Sequence, residues 1–72
     1  MKFKKGDKVV CIDGGRYTYL TYDKIYDVLF INSGLDVILI MDDSELQHWY
    51  VSSVFMSLEE YRSNIIEGIL NE

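Results

Sequence analysis

A mainly β fold with one C-terminal helix is what the sequence predicts, and three observations carry the prediction. Short segments rich in β-branched and aromatic residues are separated by Gly, Asn and Asp clusters. Two neighbouring segments are apolar at both alternations. A capping box at Ser57 then opens a run with helical spacing. Seventy-two residues make a single domain, residues 1–72, whose core is small for its surface.

The elements follow in order. Lys5-Gly6-Asp7 is turn chemistry, Lys8 to Ile12 a first strand, and Asp13-Gly14-Gly15 its exit. Residues 16–24 are aromatic and polar without a sustained period, which predicts a long loop at the rim. Ile25 to Ile31 is a strand with Tyr26, Val28 and Phe30 on one face and Ile25, Leu29 and Ile31 on the other. Asn32-Ser33-Gly34 turns the chain into Leu35 to Met41, again apolar on both sides. Asp42 to Glu45 makes the next turn. It leads into Leu46 to Val51, where Leu46, His48 and Tyr50 alternate with Gln47, Trp49 and Val51, and Trp49 is expected inside.

Strands apolar on both faces need a cover, and the C-terminus offers one. A helix over 57–71 has Ser57 as N-cap and an apolar stripe of Leu58, Tyr61, Ile65, Ile66, Ile69 and Leu70. Glu59 and Glu60 complement its dipole, and Gly68 weakens its last turn. The stripe either caps its own sheet or joins a second copy. A homodimer is expected, because an isologous contact relieves a marginal core.

Hydrophobic content of 49% excludes intrinsic disorder, while the longest apolar runs are far too short to span a bilayer. No leader pattern opens the chain, and Cys11 is its one cysteine, which together predict a soluble protein of the cytoplasm with no membrane contact. The net charge of −5 is uneven. Residues 1–24 hold six bases against three acids, and residues 25–72 hold Arg62 against nine acids. That balance disfavours a general nucleic-acid binder and suits a basic partner.

Lys5-Gly6-Asp7-Lys8-Val9, Leu20 to Val28, Asp42-Asp43, and Trp49-Tyr50 with Phe55 follow a KGDxV, LTxGKxYxV, DD and WYxxxxF pattern. Over residues 2–56 the chain resembles a group of short phage-encoded proteins with an SH3-like small barrel. The resemblance implies a five-stranded antiparallel barrel, no shared catalytic residues, and action by binding host machinery in the host cytoplasm. Asp23 stands where the pattern prefers glycine, and the segment from Ser57 onward is an addition to it.

The stretch from Met41 to Tyr50 crowds Asp42, Asp43, Glu45, His48, Trp49 and Tyr50 together. It has neither the alternating acids and glycine of a calcium loop nor a zinc spacing, so a turn is expected there and no metal, cofactor or catalytic residue. Cys11 reads as a core residue. The expected function is non-enzymatic inhibition of a host bacterial protein with a basic surface, such as a sliding-clamp channel or polymerase cleft. Its contacts would come from Asp36, Asp42, Asp43, Glu45, Tyr50, Glu59, Glu60 and Glu67. Two alternatives use other residues: nucleic-acid binding through Lys2, Lys4, Lys5, Lys8, Arg16 and Lys24, and docking of a proline-rich peptide on Tyr17, Tyr19, Tyr22 and Tyr50.

Overall fold

Alternation in Lys8-Val9-Val10-Cys11 sends Val9 and Cys11 to one face of a strand and Lys8 and Val10 to the other. The computed structural model, which describes residues 2–13 and 15–70 and the helix side chains as far as Asn64, builds on that strand. The elements are β1 (Lys8–Cys11), β2 (Ile25–Asn32), β3 (Val37–Met41), β4 (Gln47–Val51), a 3-10 turn (Ser52–Val54), β5 (Phe55–Ser57) and α1 (Leu58–Leu70). They form one antiparallel sheet in the order β4-β3-β2-β1-β5, followed by the helix.

All five strands feed one core of Val9, Cys11, Tyr26, Val28, Ile38, Ile40, Tyr50 and Phe55, joined by Phe3, Leu20 and Val54. The Tyr50 and Phe55 rings, from the two edge strands, lie 6.3 Å apart edge to face. In a flat sheet those strands would stand about 19 Å apart, so the sheet is strongly curled. The 3-10 turn links β4 to β5 without strand pairing between them among the described residues.

Turn chemistry behaves as the residue types dictate. Gly6 has φ +91°, in a turn closed by Asp7 N–H on Lys4 O and capped by the Asp7 carboxylate on Lys4 N–H. Asp23 has φ +72°, a left-handed backbone that glycine adopts with less strain. The β3–β4 connection is a three-residue hairpin loop. Asp42 N–H bonds to Leu46 O, Glu45 N–H bonds to Asp42 O, and Glu45 takes the left-handed position at φ +66°.

Three expectations need correction. Phe30 does not share a face with Tyr26 and Val28: the register steps from Val28↔Ile40 to Phe30↔Leu39, so Leu29 is a bulge residue and Phe30 turns outward. Trp49 is not inside: it is 50% exposed, and its neighbour Tyr50 fills the core. The third strand starts at Val37, because Leu35 and Asp36 remain in the turn.

The helix begins where the capping box placed it, with Glu60 N–H donating to Ser57 Oγ at 3.1 Å. It packs on β1 and β5. Val10, buried but outside the main core, lies on that outer side of β1. Leu58 and Tyr61 are partly buried, while Ile65, Ile66, Glu67, Gly68, Ile69 and Leu70 lie outside the residues whose side chains are described.

Candidate functional site

The two aspartates of the β3–β4 turn diverge, and each organises its own set of donors. Asp42 follows β3 on the side of the core, and its side chain is fully buried. Its carboxylate accepts from Ser44 N–H at 3.0 Å, from the Ser44 hydroxyl, from Tyr50 OH at 2.6 Å, and meets His48 Nδ1 at 2.7 Å. Burial alone pushes this carboxyl up, but the donors from Ser44, Tyr50 and His48 outweigh it and hold it at about 2. Burial and the same carboxylate push the Tyr50 phenol above its usual range.

Asp43 faces the long loop. It accepts from Lys24 Nζ at 2.6 Å, Tyr26 OH at 2.9 Å and the Thr21 hydroxyl, and its N–H donates to Tyr19 O at 2.9 Å. The Lys24 and Thr21 hydrogen bonds lower its carboxyl, and the same contact with Asp43 raises Lys24. Tyr26 OH also receives Thr21 N–H at 2.9 Å. Thr21, Lys24 and Tyr26 of the LTxGKxYxV stretch and the second Asp of the DD pair are therefore one cluster, which staples loop 16–24 to the turn.

These bonds decide what the crowded stretch can do. Asp42 orients an imidazole through Nδ1, but Ser44 gives its hydroxyl proton to the carboxylate and not to His48, so among the described residues no hydroxyl is hydrogen-bonded to the ring. No group of three or more His, Cys, Asp or Glu suited to a metal ion occurs among the described residues.

Of the expected contact residues, Asp42 and Tyr50 are corrected: both are buried and bonded to each other, because a phenol and a carboxylate satisfy each other inside a small core. Asp43 is tied to Lys24, and Asp36 accepts from the Ser52 hydroxyl at 2.8 Å. Glu45, Glu59 and Glu60 make no ion pair or side-chain hydrogen bond through their carboxylates among the described residues. Glu67 falls outside the described side chains.

The bases fare similarly. Lys8 pairs with Asp27, Arg16 with Asp13 and Lys24 with Asp43. Lys2 Nζ donates to Phe55 O, and Lys5 lies 4.6 Å from the Phe30 ring. Of the tyrosine platform, Tyr17 packs edge-on against the buried Tyr50, leaving Tyr19 and Tyr22 exposed.

What residue-by-residue reading missed is the outer face of β2–β3–β4. Phe30 pairs with Leu39 and Leu39 with Trp49, giving a cross-strand apolar row, and Met41 lies on the same face. Phe30, Met41 and Trp49 are each about half exposed. The signal was present in the continuous apolar character of both strands, which called for a cover. The helix covers β1 and β5 instead.

No protein-family model matches the chain, and neither a curated protein nor a solved structure matches it. No helix among the described residues is long and apolar enough to cross a membrane.

Proposed function

We propose that the protein works by binding, as a phage-encoded inhibitor that occupies a basic surface of a host bacterial protein in the host cytoplasm. Sliding clamps and polymerase clefts, which hold DNA or RNA, are the class of target. The carrying observation is Glu45: an exposed glutamate in left-handed backbone, where glycine is less strained, whose carboxylate has no ion pair or hydrogen bond among the described residues and which sits in the turn between the strands that carry Met41 and Trp49. Strain retained at an exposed charged residue fits a role for that charge. Phe30, Met41 and Trp49 supply an apolar centre and Glu45 an acidic rim, which is how protein contact surfaces are built. The net charge of −5 attracts a basic partner from a distance.

Pairing of Lys8, Arg16 and Lys24 with carboxylates favours this reading over direct nucleic-acid binding. The test is capture from bacterial lysate at low and high salt, with Glu45→Lys and Trp49→Ala in parallel. A specific host protein retained by wild type, released by salt and lost with either variant is the expected result. Retention indifferent to salt and to both substitutions would refute the proposal.

A further inference from the structure

Strand β4 is a sheet edge, and the alternation of an antiparallel ladder decides which of its backbone groups face away from the sheet. Two bonds set the phase: Asp42 N–H donates to Leu46 O at 3.1 Å, and Ser52 N–H donates to Asp36 O at 2.9 Å. Both pairs continue the β3–β4 register that runs from Val37↔Val51 to Met41↔Gln47. By alternation Ile38/Tyr50 and Ile40/His48 are the hydrogen-bonded pairs within the strands. The N–H and C=O groups of Gln47, Trp49 and Val51 therefore point out of the edge, and strand pairing supplies them no partner among the described residues.

Natural edge strands are commonly blocked by lysine, proline, a bulge or an inward charge. Gln47-His48-Trp49-Tyr50-Val51 contains no Lys, Arg, Asp, Glu or Pro, and it pairs with β3 without a register shift. Its outward groups are spaced symmetrically about Trp49, which is the condition for self-pairing. We infer that β4 pairs antiparallel with β4 of a second copy of this chain, about a twofold axis at Trp49.

In that register Trp49 faces the second copy's Trp49, and Gln47 faces Val51 on either side, so every outward donor of one edge meets an acceptor of the other. The row Phe30, Leu39, Trp49 then runs unbroken across both copies, and the half-exposed Trp49 gains a neighbour on its open side. Charge permits the contact. Glu45 falls opposite Ser53, and β4 itself carries no Asp or Glu. This interface differs from the helix contact expected from the sequence, and it does not depend on which host protein is bound.

Sedimentation over a range of concentrations, with amide hydrogen exchange at both ends of that range, tests it on the full chain. The expected species has twice the chain's mass. At high concentration the amides of Gln47, Trp49 and Val51 exchange at least about tenfold more slowly than at low concentration, while His48 and Tyr50 are protected at both. Trp49→Lys sets two like charges opposite each other at the axis and yields a single-chain species with unchanged circular dichroism. Gln47→Pro removes an outward N–H while sparing every bond to β3; it weakens the same association and serves if Trp49→Lys fails to fold. A wild-type chain that stays single at high concentration overturns the inference. So does a two-chain species that survives both variants or leaves the three amides unprotected.

Discussion

Asp42 shows how one residue can look like a site and act as a joint. Its buried charge is held by four contacts from three residues, and removing any donor leaves a charged acceptor short in a dry place. Tyr50→Phe deletes only the phenolic hydroxyl and is expected to cost about 2 kcal/mol in urea unfolding, a hydrogen bond to a charged group. The pH dependence follows from the depressed carboxyl, 3.8 falling to about 2. Its contribution is complete above the ordinary value and disappears as pH falls from about 4 towards 2, an acid limb on the order of 2 kcal/mol. Asp42→Asn should lower stability at neutral pH and flatten that limb; an unchanged limb would show that other carboxylates carry it. Glu45 makes the opposite case. Glu45→Gly relieves left-handed strain and is expected to raise stability by about 1 kcal/mol, seen as a Tm several degrees higher, while weakening salt-sensitive partner capture. Stabilisation with full capture would remove Glu45 from the proposed contact.

At the scale of elements, the long loop is ordered by a few polar ties and one buried leucine, Leu20. Asp43 holds Thr21, Lys24 and Tyr26 together, so Asp43→Ala is expected to leave the strands intact and speed amide exchange and proteolysis within residues 16–24. Protection there equal to wild type would place the loop's order in Leu20, the Tyr17–Tyr50 contact and the backbone bonds to Cys11 and Asp43. Three features were legible in advance for local reasons. The capping box needs only Ser57 and the first turn, and the KGD and double-aspartate turns need only residues that tolerate their backbone angles. The bulge at Leu29 was not legible, since a shift of one residue depends on the pairing partner and leaves no mark in the strand's own alternation.

For the whole molecule, the decisive fact is where the helix goes. It packs on β1, where Val10 is buried on the outer side, and on β5, and leaves the β2–β3–β4 face to water, with Phe30, Met41 and Trp49 among its exposed residues. Trp49→Ala is therefore expected to change stability by less than about 0.5 kcal/mol at concentrations where the chain is single. A loss of about 3 kcal/mol or more would return Trp49 to the core, where the sequence alone had placed it.

From its own patterns the chain determined a mainly β fold with four of its strands and a C-terminal helix, most of its turn positions, and a surplus of acid over base, while the fifth strand, Phe55–Ser57, was not among the segments those patterns marked. Each of these rests on local periodicity, turn-forming residue types or simple counting. Only the tertiary structure decided that Asp42 and Tyr50 are internal, that Asp43 is a staple, and that Trp49 rather than Tyr50 meets solvent. Neighbours on a strand face opposite sides, so only one of that pair enters the core, and the buried Asp42 carboxylate favours the tyrosine, whose hydroxyl donates to it.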